Sequence, residues 1–260
     1  MKKSKLTFVI LLLSMFSIQF SYAQDWANLN RFKAENANVV LPTPGEKRVV
    51  FMGNSITEGW INLHPEFFAG KFYINRGISG QTTPQMLIRF REDVIKLKPK
   101  VVVILAGTND IAGNTGPSTL EMIEDNLISM AQLARANDIK VILCSVLPVY
   151  DYPWKPGLEP AQKIIDLNKL IKTYTEKSGM IYLDFFSAMV DERKGLKSEY
   201  SKDGVHPNEA GYNVMEPLTE VAIEKALNIN KPVAHAKTVT HKKTVSHKKP
   251  VSHKTPVSHK

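Results

Sequence analysis

A chain of 260 residues, 43% of them hydrophobic, is long enough for one packed domain, and a single cysteine rules out any disulfide within the chain. The net charge of +9 does not describe a basic, nucleic-acid-binding body, because the excess is concentrated at the two ends. Setting aside three lysines before residue 6 and eight after residue 230 leaves 23 basic residues against 25 acidic ones.

At the start, Lys2, Lys3 and Lys5 precede an apolar run from Leu6 to Phe20, followed by small or polar residues up to Ala23. This is the layout of a cleavable secretory signal over residues 1–23. The run is shorter than the roughly 20 residues that cross a bilayer, so the expectation is a secreted or periplasmic protein with no transmembrane anchor after cleavage. No cysteine follows the cleavage point to suggest a lipid-modified start.

From residue 24 to 230 short apolar runs alternate with amphipathic stretches. A first strand is expected at Arg48 to Met52, leading into FMGNSITEGW. Gly53 there permits a tight turn, and Ser55 falls at the strand's carboxyl end, where a serine can cap the next helix or serve as a nucleophile. His64, in WINLHPEF, reads as a loop or packing residue. The second strand, Phe72 to Asn75, runs into NRGISGQTT. Gly77 and Gly80 can bring bare backbone N–H groups close to a ligand there, although ordinary turns also use glycine.

Thr83 and Pro84 read as an N-cap followed by proline at the first helical position, opening a helix to about Leu97. The third strand, Val101 to Ala106, ends in AGTNDI, where Asn109 either sends an amide donor into the same crevice or shapes a turn. Ser118 with Glu121 suggests a capping box, after which Leu120, Ile123, Leu127, Met130 and Leu133 keep one helical face. The fourth strand, Val141 to Val146, contains Cys144 as a small buried hydrophobe.

PVYDYPWKPGLEP follows, with Tyr150, Tyr152 and Trp154 available to stack on a sugar face, line an acyl pocket or pack the loop. A helix with Ile164, Leu167, Leu170 and Ile171 inward leads to a fifth strand at Met180 to Asp184. DGVHPNEAGY then places Asp203 three residues before His206, one of two histidines in the body, ahead of a last helix from about Asn208 to Ile229. At that spacing a short loop can fold the carboxylate under the imidazole.

Residues 231–260 hold eight lysines, five histidines and no acid, in six-residue units such as KTVSHK and KPVSHK. Such a segment has almost nothing to bury and is expected to be disordered, serving as a spacer or adhering to an anionic polymer or surface. Export makes a specific nucleic-acid partner unexpected, and the even histidine spacing follows from the repeat without implying a metal site.

Five strand–helix repeats, with central runs VVVILA and VILCSV lacking polar alternation, indicate an α/β fold with a parallel sheet covered on both faces. Five units are too few for an eight-unit barrel, so an open three-layer α/β/α domain is expected, with its site along the carboxyl edge of the sheet.

Serine, glycine, asparagine and Asp-x-x-His occur in this order after successive strands, and in these four blocks the chain resembles the SGNH hydrolase superfamily, or GDSL-type esterases and lipases, across about Arg48 to Tyr212. The resemblance implies a flavodoxin-like fold with a mainly five-stranded parallel sheet. It also implies a Ser55–His206–Asp203 triad, oxyanion donors at Ser55, Gly80 and Asn109, and no cofactor or metal. The first block departs from the family's Gly-Asp-Ser, reading Gly53-Asn54-Ser55. Thr57 in place of a second glycine sets it apart from the G-x-S-x-G elbow of α/β-hydrolases. The expected activity is hydrolysis of short acyl esters, acetyl above all, of a small molecule or glycan, with Tyr150 and Trp154 as candidate substrate contacts. The alternatives are a lysophospholipase or thioesterase acting on lipid acyl chains, and a non-catalytic glycan-binding protein.

Overall fold

A computed structural model describes residues 25–228; the leader expected at residues 1–23 and the repeat segment at 231–260 lie outside them. In chain order the elements are α1 (Lys33–Asn38), β1 (Val49–Gly53), α2 (Ser55–Leu63), α3 (Pro65–Phe68), β2 (Tyr73–Gly77), α4 (Thr83–Asp93), β3 (Val101–Leu105), α5 (Thr108–Ile111), α6 (Leu120–Arg135), β4 (Lys140–Cys144), α7 (Pro160–Ser178), β5 (Ile181–Leu183), α8 (Phe186–Met189) and α9 (Glu209–Ala226). All strand pairs are parallel, in the order β2-β1-β3-β4-β5. This is the three-layer α/β/α, flavodoxin-like arrangement anticipated from the alternation of runs.

The unbroken apolar strands split their side chains between two cores, because successive residues of a strand point to opposite faces. Val50, Met52, Val102, Ile104, Val141 and Leu143 pack with Met86 and Phe90 of α4, Ile123 and Leu127 of α6, and Ile164 and Leu167 of α7. Val49, Phe51, Val101, Val103 and Ile142 face the other way, against Ile56 and Trp60 of α2, Phe67 and Phe68 of α3, and Tyr212 and Met215 of α9. β1 and β3 are buried along their whole length. Phe51 anchors the second core, its ring centroid 5.2–6.0 Å from those of Trp60, Phe67, Phe68 and Tyr73.

Two helix starts lie one residue from their expected places. Thr82, not Thr83, is the N-cap of α4, with Gln85 Oε1 accepting the Thr82 N–H at 3.0 Å. Thr83 is unavailable as a cap, since its N–H and hydroxyl are committed to Asp110. The cap of α6 is Thr119 rather than Ser118, and its oxygen accepts from Met122 N at 3.2 Å. α4 also stops at Asp93, short of Leu97, and the chain continues through a 3-10 turn over Ile95–Leu97.

Connections leave β1 toward β2 and β3 toward β4, so the loops after these neighbouring strands diverge and open a crevice at the sheet's carboxyl edge. α9 closes one side of it. The Tyr212 hydroxyl donates to Ile56 O at 2.7 Å, tying the helix after His206 to the helix that carries Ser55. A side chain at Gly59 would meet that same hydroxyl at 2.9 Å, so the close approach depends on glycine.

Candidate active site

Ser55 is the first residue of α2, directly beyond β1. The preceding Asn54 is the N-cap; its side-chain oxygen accepts the Ile56 N–H at 3.0 Å. Asparagine therefore keeps the structural hydrogen bond of the cap without placing a carboxylate beside Ser55. Gly53 is required by crowding: a Cβ there would lie 1.9 Å from Thr57 Oγ1 and 2.9 Å from Leu105 O.

The Asp203–His206 loop brings the second half of the site to Ser55 across 151 residues of sequence. His206 Nε2 lies 2.9 Å from Ser55 Oγ, and its Nδ1 lies 2.7 Å from Asp203 Oδ2. Asp203 Oδ1 also accepts the backbone N–H groups of Val205 at 2.9 Å and His206 at 2.8 Å. Partial burial alone would raise the Asp203 carboxyl, but hydrogen bonds from the His206 backbone, the His206 ring and the Val205 backbone outweigh it and bring it down to about 2. Ser201, absent from the sequence reading, braces the loop: its hydroxyl donates to His206 O at 2.8 Å and accepts from Gly204 N at 3.0 Å. An imidazole so held, one nitrogen on a carboxylate and the other on a hydroxyl, can take the hydroxyl's proton.

Gly80 stands in the loop beyond β2 and Asn109 on α5 beyond β3, on either side of the end of β1 that leads to Ser55. Gly80 has φ +75°, a conformation that favours glycine, and its missing Cβ faces open space. The Asn109 side chain is buried and donates to Gln81 O at 2.9 Å, leaving its second N–H for another acceptor. Neither the Ser55 nor the Gly80 backbone N–H donates to a backbone acceptor outside regular helix and strand bonding among the described residues. Next to Asn109, burial pushes the Asp110 carboxyl up to about 6, against the pull of the Thr83 hydroxyl and N–H.

Of the aromatic residues after β4, the structure brings Trp154 to the site, with its ring centroid 6.1 Å from that of His206. Trp154 is half-exposed. Tyr150 is exposed and lies under the Arg193 guanidinium, 5.2 Å from its ring centroid. Tyr152 takes the packing role among the alternatives: it is fully buried, and its hydroxyl donates to Thr108 O at 2.8 Å, pinning this loop to α5. His64 packs as expected, buried against Tyr212 with Nδ1 2.8 Å from Glu216 Oε1. An open pocket of about 580 Å³ flanks Asp203 and His206, lined by Leu63, Pro207 and Ala210 with Lys202, Asn208 and Glu209 on its polar side. Among the described residues no cluster of three or more His, Cys, Asp or Glu could hold a metal ion. None of their helices is long and apolar enough to cross a membrane.

A parallel α/β/α sheet with serine, imidazole and carboxylate in a hydrogen-bonded row at its carboxyl edge defines a hydrolase of the SGNH type. The chain belongs to the GDSL-like Lipase/Acylhydrolase family, whose model matches residues 51–214, and is a carboxylic ester hydrolase. The crystal structure of a GDSL-like lipase from Bacteroides thetaiotaomicron is 52% identical, covering 77% of this chain and 98% of that one, with a TM-score of 0.75. The lipoprotein YqeF of Bacillus subtilis is 32% identical over 124 residues, 41% of this chain and 51% of that protein. An acetylxylan esterase of Xylanibacter ruminicola is 26% identical over 223 residues, 71% of this chain and 45% of that protein. The chain thus spans about half the length of these two curated relatives.

Proposed function

We propose that the protein is an exported esterase that removes short acyl groups, acetyl above all, from a carbohydrate ester through an acyl-enzyme on Ser55. The observation that carries this is the 2.9 Å approach of His206 Nε2 to Ser55 Oγ, with Asp203 2.7 Å from the other ring nitrogen. His206 takes the Ser55 proton as the oxygen attacks the ester carbonyl, then passes it to the departing alcohol; water repeats the sequence to free the acid. Asp203, ionised down to about pH 2, fixes the ring and stabilises its cationic form. The backbone N–H groups of Ser55 and Gly80 and the Asn109 amide receive the oxyanion, each donor worth about 3 kcal/mol.

The alcohol must leave on the His206 side, because His206 protonates it. The open pocket beside His206 carries Lys202, Asn208 and Glu209, and the half-exposed Trp154 ring lies 6.1 Å from the imidazole. Polar groups and an aromatic face around the same imidazole suit a hydroxylated ring better than a long alkyl chain. The acetylxylan esterase relative supports the same substrate class. Tyr150 is kept as an outer contact that an extended glycan could reach.

A panel of nitrophenyl esters and acetylated sugars tests the reading. Acetate is expected to be turned over faster than decanoate, and Ser55→Ala to lower kcat on the order of 10⁴-fold or more. Faster decanoate turnover would favour a lipid-acting thioesterase or lysophospholipase. Full activity of Ser55→Ala would remove Ser55 from the mechanism.

A further inference from the structure

We infer that Gln81 and Arg89 are positioning residues that hold the oxyanion donors in register, an inference resting on the roles proposed for Ser55, Gly80 and Asn109. Arg89, on α4, has no solvent exposure, and its three bonding directions go to three different places. One nitrogen pairs with Asp93 Oδ2 at 2.9 Å, one turn along the helix. A second donates to Gly53 O at 3.0 Å, two residues before Ser55, and Nε donates to Gln81 Oε1 at 2.5 Å, beside Gly80. Gln81 continues the chain of contacts, since its backbone carbonyl accepts from Asn109 Nδ2 at 2.9 Å. One guanidinium therefore spans the carboxyl end of β1 and the loop after β2, and through Gln81 reaches Asn109 on α5.

Internal ion pairing alone does not account for this arrangement. The Asp93 contact already balances the charge, and Asp93 is held independently by Asn36 Nδ2 at 2.7 Å. A buried ion pair is often replaceable by apolar side chains without loss of stability, so a fork extended to two active-site loops points to geometry. Arginine's planar donor set fixes the angle between its acceptors, which a lysine ammonium does not. Gly53 O receives Ile78 N as well as Arg89, at 3.1 Å, so the two loops are bound to each other at the same atom. Gln81 Nε2 donates to Ala27 O at 2.7 Å, which fixes the far side of the amide.

The test uses the full chain and measures nitrophenyl acetate kinetics per active site, counted by exhaustive fluorophosphonate labelling. Gln81→Met leaves the Arg89–Asp93 and Arg89–Gly53 contacts in place, so it reports on alignment even where Arg89→Lys folds poorly. A misplacement of the donors is expected to lower kcat about 10- to 100-fold in Gln81→Met and Arg89→Lys, with KM held within about threefold. Affinity for a trifluoromethyl ketone, whose tetrahedral adduct needs the same donors, should fall in parallel with kcat/KM. Gln81→Glu keeps an oxygen toward Arg89 Nε but turns its second oxygen against Ala27 O, so it should recover only part of the kcat lost in Gln81→Met. Unchanged kcat per site in both Gln81→Met and Arg89→Lys, while Asn109→Ala is impaired, overturns this inference alone. Unimpaired Asn109→Ala overturns it together with the oxyanion assignment beneath it.

Discussion

Asp110 and Asp203 are carboxylates at one edge of the sheet with opposite electrostatics. Asp203 is part-exposed and receives backbone and imidazole hydrogen bonds, so its contribution to stability is present above the ordinary carboxylate range and is lost as pH falls toward about 2. Asp110 is buried and raised to about 6, so between about pH 4 and 6 the folded protein holds this proton more firmly than the unfolded chain. Stability from this group therefore falls as pH rises through that window and levels off above it. Asp110→Asn should remove the slope: the wild-type melting temperature should decline between pH 4 and 6.5 relative to the variant, as followed by circular dichroism. Parallel profiles would show that Asp110 titrates no differently in the folded chain. Ser55 and Asn109 stood out because each lies in a short motif directly after a strand, and Asp203 and His206 because they share one just ahead of α9. Gln81, Arg89 and Ser201 did not, since each acts through bonds to residues that only the folded chain brings near, as Arg89 does to Gly53.

At the scale of elements, apolar periodicity located α4, α6, α7 and α9 and left their ends open by one to four residues. Ser118 and Thr119 are both acceptable caps by type, and the choice depends on which oxygen the backbone turns toward a free N–H; in the fold this is Thr119, facing Met122 N. Thr119→Ala is expected to cost about 1 kcal/mol in urea unfolding, with Ser118→Ala changing little. The reverse order would return the cap to Ser118. Pro217 inside α9 had no counterpart in the sequence reading. Proline removes a helix donor, and α9 nonetheless continues to Ala226 because Met215, Thr219, Ala222 and Ile223 keep its inner face buried against the sheet. Tertiary packing outweighs local propensity there, and a propensity scan does not register packing.

For the whole molecule, the five runs and their alternation were enough for the layers and the edge on which the site lies, whereas strand order depends on crossovers between distant segments. That order places β1 and β3 side by side, which is what lets residues 55 and 109 face one crevice. The bonds that assemble the crevice run from Gln81 to Ala27 at one end and from Tyr212 to Ile56 at the other. Residues 231–260 stand apart in composition, and their eight lysines supply most of the net charge. Deleting 231–260 takes the formal charge from +9 to +1, so adsorption to a heparin matrix should weaken sharply at low salt, with the difference shrinking as added salt screens it. Because the proposed donors and proton carriers are held by bonds within the retained residues, kcat/KM for neutral nitrophenyl acetate should stay within about twofold of the full chain. A tenfold loss of turnover in the shortened protein, with its melting temperature preserved, would mean that the lysine-rich segment takes part in the chemistry at Ser55 and would refute its assignment as a separate surface-binding extension.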